Sequence, residues 1–404
     1  MKVYIITGEP FPNGLAATNR IKCYAKAVIS QGAGCEVIVF RKTENPSNPT
    51  NTVGIGMFDS VIPFRYIHGS PVPNKNFFIR KMEGLTAERR TVRYLKKRLK
   101  PNDIVFAYIG RDLGFVEKLI TLTHDKKGVF CRDLCELPYG TGEETAQTIR
   151  CRQYMLERVF PKIDGFVAIS DALFDLAKTY ASADSSVIKI PIMVEFAKYS
   201  IEDRSDSVKV PFIFHAGTLT EKKDGFISML EAFAIAENKL PFPIRFVVAG
   251  DLESSPDKEK ICSMIDRYNL KEKIVFLGYL KSDEVLKPLS EASLVVLNKY
   301  PNQQNQYGFS TKLGEYMAAG KPVVITRVGE AMNWLSDREN AYIVDYGNTG
   351  QLADTIIKAF ENPEERRRIG DNARLLCQKA FDYNVYGKAL TEMFEQQIKQ
   401  KSIQ

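Results

Sequence analysis

Two doubly wound α/β units are the architecture that this chain's pattern predicts. Three observations point to it. Short apolar runs alternate with longer amphipathic segments. Those runs are rich in Val, Ile and Phe and seldom alternate with polar residues, as strands buried on both faces do. The pattern lapses once, near the middle, and starts afresh. At 404 residues the chain is long enough for two sizeable cores.

Strands are expected at Lys2–Thr7, Glu36–Phe40, Ile104–Tyr108, Gly128–Cys131 and Gly165–Ile169 in the first half. In the second half they are expected at Phe212–Ala216, Arg245–Ala249, Ile274–Leu277, Leu294–Leu297, Pro322–Thr326 and Ala341–Val344. Helical periodicity fills the intervals at Ala17–Gln31, Ser170–Tyr180, Ser228–Glu237, Ser255–Tyr268, Ser282–Glu291, Leu313–Ala319 and Gln351–Phe360. Ser170 or Asp171 is a natural N-cap. Ser60–Phe78, with Pro63, Pro71 and Pro73 and no periodicity, reads as a long loop. Arg80–Lys100 holds nine basic residues and two glutamates. Its Leu85, Val92, Leu95 and Leu99 at helical spacing suggest a core-facing stripe. The resulting division is a first domain over 1–195, a linker over 196–210, a second domain over 211–381, and a last helix over 382–404 that packs back toward the first domain.

Composition narrows the function. With 44% hydrophobic and 26% charged residues, the chain is neither disordered nor fibrous. No apolar run approaches the ~18 residues of a membrane span, and the apolar start is too short for a leader and reads as a strand. Seven scattered cysteines without a C-x-x-C pair fit reduced thiols and a cytoplasmic setting. Cys131 and Cys135 lack the histidines or second cysteine pair of a metal site. Residues 1–200 carry 29 basic and 20 acidic side chains, net +9, whereas the remainder carries 27 and 29, net −2. A basic first half suggests contact with an anionic membrane surface or another acidic partner. No aromatic-interleaved basic motif supports nucleic acid.

Ligands of doubly wound sheets bind beyond the carboxyl ends of the strands, so the segments after strands hold the candidates. GEPFPNGLAATNR, Gly8 to Arg20, is a Gly/Pro loop opening a helix. Gly14 allows close approach and Arg20 is placed to bind a phosphate bidentately. HAGTLTEKKDG, His215 to Gly225, offers a glycine turn and two lysines; Lys223 is the favoured phosphate contact and Lys222 its competitor. YGFSTKLGEYMAAGKPVVIT, Tyr307 to Thr326, is the most informative stretch. Lys312 in the first turn of a helix is unfavourable for the helix dipole unless an anion is bound there. Glu315, a turn on, suits sugar hydroxyls.

This last segment resembles the signature of retaining, nucleotide-sugar-dependent glycosyltransferases of family four. So do G-x-L-x-x-x-K (Gly217, Leu219, Lys223), VVAGD (Val247–Asp251) and VFLGYL (Val275–Leu280), in the same order and spacing over roughly residues 210–380. The first domain matches more loosely, through its glycine loop, VAISDAL and IPIMVEF. The resemblance implies the GT-B fold, two Rossmann-like domains with a cleft between them. It implies transfer of a sugar from a nucleoside diphosphate sugar to an acceptor hydroxyl with retention, in polysaccharide or glycolipid synthesis. By position, Glu315 matches the ribose-binding glutamate. Thr311, Lys312 and Leu313 match the stretch facing the diphosphate, and Lys223 matches the donor-phosphate lysine. Tyr279 and Leu280 match the segment beside the base, Gly250 belongs to the VVAGD match, and Gly14 matches the first-domain loop near the phosphates.

Three positions differ from the family pattern. Tyr307 stands where the first glutamate of the paired motif falls. Thr218 replaces the arginine after the glycine. CRDLCELPYG replaces a His-Asp stretch, leaving Glu136 as the acidic candidate on the acceptor side. Lys223 and Lys312, with helix N-termini, are expected to carry the leaving diphosphate's charge, and no metal is expected. The expected partners are the donor, a glycan or lipid-linked acceptor, and the inner face of a membrane. Two other readings compete: a GT-B epimerase, which would lack the TKLGEYMA pattern, and a non-catalytic GT-B homologue that binds a nucleotide sugar or acts as a scaffold. Glycoside hydrolysis requires opposed carboxylates ~5 Å apart, and no such pair can be identified.

Overall fold

The computed structural model describes residues 1–140, 144–199 and 210–403. The described chain divides into two units, one formed by residues 1–193 with those from 383 onward, the other by Val194–Asp382.

The first unit contains β1 (Lys2–Thr7), α1 (Ala16–Ser30), β2 (Gly34–Val39), β3 (Ile55–Phe58), β4 (Ile62–Tyr66), α2 (Phe77–Lys96), β5 (Ile104–Tyr108), α3 (Leu113–Asp125), β6 (Val129–Leu134), α4 (Ala146–Tyr154), β7 (Gly165–Ala168), α5 (Asp171–Tyr180) and β8 (Ser186–Lys189). Its eight strands run in the order β3-β4-β2-β1-β5-β6-β7-β8, all parallel except β3, which pairs antiparallel with β4. β1 is buried from Val3 to Thr7, as a central strand covered on both faces must be. Ser170 caps α5 by accepting the Leu173 N–H at 3.3 Å.

The second unit contains β9 (Phe212–Ala216), α6 (Glu221–Asp224), α7 (Phe226–Lys239), β10 (Arg245–Ala249), α8 (Lys258–Arg267), β11 (Ile274–Gly278), α9 (Ser282–Glu291), β12 (Leu294–Leu297), α10 (Gln303–Tyr307), α11 (Thr311–Ala318), β13 (Val323–Thr326), β14 (Tyr342–Val344), α12 (Thr349–Glu361) and α13 (Pro363–Ala380). Its sheet is wholly parallel, in the order β11-β10-β9-β12-β13-β14. Strand order reverses at β9, with β10 on one side and β12 on the other. This is the topological switch point at which doubly wound sheets open a crevice. A final helix, α14 (Gly387–Ile403), returns to the first unit, where Leu390, Met393 and Phe394 join the core of Val3, Ile5, Tyr24 and Phe106.

Several sequence expectations need correction. The supposed loop at Ser60–Phe78 contains β4, whose Ile62, Phe64 and Tyr66 are buried while Pro63 and Arg65 are partly exposed. Its proline sits opposite Met57 of β3 near the sheet edge, a position that tolerates proline. β8 was not anticipated, and neither were α3 and the 18-residue α13, which starts with Asn362 as cap and Pro363 in its first turn. Most of the proposed linker, 200–209, lies outside the described residues; Phe196–Lys198 form a 3-10 turn. The core stripe expected around α2 holds at Leu95 and Leu99 but fails at Leu85, which is 64% exposed. Ala87, Thr91 and Leu95 are the residues that α2 buries.

Candidate functional site: an anion-binding cluster at the switch point of the second sheet

Gly217 follows the end of β9, and Asn298 and Lys299 follow the end of β12, so the two segments leave the sheet side by side at the switch point. Between them lies Asp224, the last residue of the short α6. It is 1% exposed and accepts four hydrogen bonds. The Thr218 N–H donates to Oδ2 at 3.1 Å and the Thr218 hydroxyl at 2.6 Å. Lys312 Nζ donates to the same oxygen at 3.1 Å, and Lys299 Nζ donates to Oδ1. One carboxylate thus gathers two ammonium groups, one from the segment after β12 and one from the first turn of α11.

Local geometry enforces this arrangement. Gly225 has a left-handed φ of +59°, and a Cβ there would lie 2.6 Å from the Asn298 carbonyl. The Asn298 amide in turn donates to the Gly225 carbonyl at 2.9 Å, tying the turn after α6 to the end of β12. A Cβ on Gly217 would overlap Lys312 Nζ, so only glycine leaves room for that lysine. α11 is fixed from its buried face. Leu313, Tyr316 and Met317 are in the core, and the Tyr316 hydroxyl accepts the Ala216 N–H at 2.9 Å, pinning the helix to the end of β9. At its N-terminus Ser310 makes no side-chain capping bond.

The electrostatics follow from burial and charge. Burial alone would raise the Asp224 pKa, yet Lys312 and Lys299 hold it far below the usual carboxylate range. Burial lowers Lys312 more than Asp224 lifts it, and with like charge from Lys299 and Lys223 nearby its pKa falls to about 8. His215 is fully buried. Burial first, then the field of Lys312, takes its pKa to about 4, so it is neutral at pH 7. Two ammoniums against one carboxylate leave the cluster positive, with exposed Lys222 and Lys223 on the adjoining turn. An incoming anion therefore meets a preset positive field beside an uncapped helix N-terminus.

The sequence candidates fall into three groups. Gly217, Thr218 and Lys312 come together here, with Thr311 and Glu315 partly exposed on the same helix. Lys223 is exposed on α6 and is not one of the two lysines that grip Asp224. Leu313 is in the core, so its side chain faces no ligand and only its backbone is available. Gly250 follows β10 beside Gly217, where its N–H pairs with the Gly278 carbonyl at 2.9 Å. Tyr279, 62% exposed, and Leu280 follow β11. Tyr307 ends α10, just before α11.

The first unit holds the other candidates. Gly14 lies in the loop after β1. Arg20 does not face a ligand. It is 2% exposed, its Nη2 lies 3.1 Å from Asp133, and it donates to the carbonyls of Ile190 and Pro191. Asp133 and the two carbonyls engage four of the five guanidinium N–H groups, so its role is structural. Glu136 is exposed after β6. It faces Glu9, whose pKa is raised by burial and then by the charge of Glu136. Arg132 donates to the Ile109 and Gly110 carbonyls instead. The sequence reading missed Asp224, Lys299 and Tyr316. The one available signal was a lysine emerging two residues after the apolar strand LVVL.

The second unit is thus a wholly parallel, doubly wound sheet with two lysines gathered by one carboxylate at its switch point. Residues 200–376 match the family described as glycosyl transferases group 1. Sucrose-phosphate synthase from Thermosynechococcus elongatus superposes with a TM-score of 0.73 at 16% identity, covering 99% of both chains. HepE from Anabaena, solved in complex with UDP, superposes with a TM-score of 0.70 at 16% identity over 98% of this chain and 100% of that one. Both are GT-B structures, and the fold of this chain is GT-B. Among curated relatives, alpha-D-kanosaminyltransferase of Streptomyces kanamyceticus is 24% identical over 49% of this chain and 47% of its own length. The chain therefore spans about half the length of that relative.

Proposed function

We propose that this protein is a glycosyltransferase that moves a sugar, with retention, from a nucleoside diphosphate sugar to an acceptor hydroxyl. The observation that carries the proposal is the Lys299–Asp224–Lys312 cluster at the switch point, beside the uncapped start of α11. The family match over the same region supports it, as does the HepE complex with UDP-glucose, whose fold this chain shares.

In this reading the diphosphate lies across the ends of β9 and β12. As the bond between the anomeric carbon and the diphosphate oxygen breaks, negative charge builds on the leaving group. Lys312 and Lys299 are already held in place by Asp224, so they stabilise that charge without reorganising. Glu315 accepts hydrogen bonds from the ribose, and Tyr279 with Leu280 borders the base. Lys223 adds positive charge at the rim. Glu136 serves the acceptor. No divalent cation has a part in this scheme, because the lysines meet the diphosphate's charge.

Tyr307, in the place of a glutamate, favours a second reading in which the chain binds the donor without turning it over. Incubation with UDP-, GDP- and ADP-sugars separates the two. Release of one nucleoside diphosphate that depends on an added glycan or lipid-linked acceptor, and is lost in Lys312→Ala, supports the transferase. Tight donor binding with no release would favour the binding protein.

A further inference from the structure

The first two turns of α2 stand apart from the core that holds the rest of that helix. Every residue from 74 to 82 is exposed. Five of the side chains on this end are large and apolar: Phe77, Phe78, Ile79, Met82 and Leu85, with Phe78 76% exposed. Burial cannot explain a helix here. Its start is set locally by Asn76, whose side chain accepts the Phe78 and Ile79 N–H groups at 2.9 and 3.3 Å. Five exposed large apolar side chains within three turns of one helix, with the Phe77 and Phe78 rings 5.8 Å apart, are of the kind that marks an interaction surface rather than ordinary exposure.

Charge identifies the surface it fits. No acidic residue occurs between Asp59 and Glu83, whereas Lys75, Arg80 and Lys81 flank the phenylalanines. The two acids of α2 are both taken by lysines from outside the helix, Glu83 by Lys42 at 2.6 Å and Glu88 by Lys118 at 2.9 Å. Among the described residues Lys75, Arg80, Lys81 and Arg89 have no carboxylate within ion-pair distance. Arg80 lies over the Phe77 ring, 5.6 Å from its centre. A second copy of this chain would set these cations against themselves. An anionic bilayer instead offers phosphates to the cations and an acyl boundary to the aromatic rings.

We infer that the N-terminal end of α2 is a membrane-docking element, in which Phe77, Phe78, Ile79 and Met82 enter the headgroup–acyl boundary of an anionic bilayer while Lys75, Arg80 and Lys81 engage lipid phosphates. The inference does not depend on the identity of the donor.

Co-sedimentation of the full chain with vesicles tests it, using phosphatidylcholine alone and phosphatidylcholine with phosphatidylglycerol. Phe77→Ser/Phe78→Ser and Lys75→Glu/Arg80→Glu/Lys81→Glu alter only exposed residues, and a thermal melt checks that both fold. The wild type is expected to bind the anionic vesicles alone and to be released by salt, with both variants weakened by about tenfold or more. Three results would overturn it: no binding by the wild type, binding by either variant equal to that of the wild type, or a dimer in solution that the Phe77→Ser/Phe78→Ser variant dissociates.

Discussion

Lys312 occupies a place where its charge is both needed and costly. Burial brings its pKa to about 8 in the folded chain, below the ordinary lysine value of 10.5. The sign of the consequence differs for binding and for folding. Above pH 8 the free site loses its ammonium, so nucleoside diphosphate affinity falls by about fivefold from pH 8 to pH 9. Over the interval from about 8 to 10.5 the unfolded chain holds more protons than the folded one, so this residue's contribution to stability rises with pH. Calorimetric titration across that range checks the first effect. Lys312→Arg, which keeps its charge, should show a drop of less than about threefold; an equal drop in both proteins would assign the titration to another group. Lys312 and Glu315 were readable in the sequence because they share one helix. Asp224 was not, because its meaning depends on Lys299, 75 residues away, and on Lys312, 88 residues away. Arg20 was misread for the same reason: a helix start made it a phosphate ligand, and Asp133, 113 residues away, had already taken it.

At the scale of elements, what matters is how α11 is held. Its Tyr316 hydroxyl accepts the Ala216 N–H across a separation of 100 residues, and that bond sets Lys312 over the end of β9. Tyr316→Phe preserves every charge and nearly all the volume but leaves the partly buried Ala216 N–H without its acceptor. The cost in denaturant unfolding should be about 1–3 kcal/mol, with a parallel loss of diphosphate affinity. Unchanged affinity in a destabilised variant would show that the bond serves folding alone. The strands of the second sheet were legible almost to the residue because they are continuous apolar runs, as Phe212–Ala216 and Leu294–Leu297 are. β4 was not, since it lies near the sheet edge, half exposed and carrying a proline. The basic face of α2 was legible as charge. Its apolar N-terminal end was not, because helical spacing marks a stripe without saying whether anything covers it.

For the molecule as a whole, the sequence shows two units by the restart of its pattern, and each has its own core. The return of α14 to the first unit places Leu390, Met393 and Phe394 among residues from the opening of the chain. The charge divides along similar lines. The anion cluster lies in the second unit, although residues 1–200 carry the net positive excess. Overall charge therefore does not point to the proposed donor site, which is placed at the switch point of the second sheet. Among the described residues no helix is long and apolar enough to cross a membrane, and the inferred docking on lipid rests on α2 alone. The most direct measurement is thermal denaturation with UDP, GDP and ADP, on the wild type and on Lys312→Ala. One diphosphate at 100 times its dissociation constant should stabilise the wild type by ~2.7 kcal/mol, and Lys312→Ala should lose that shift. No shift with any of the three, or an equal shift in the variant, would contradict a diphosphate site at Asp224, Lys299 and Lys312.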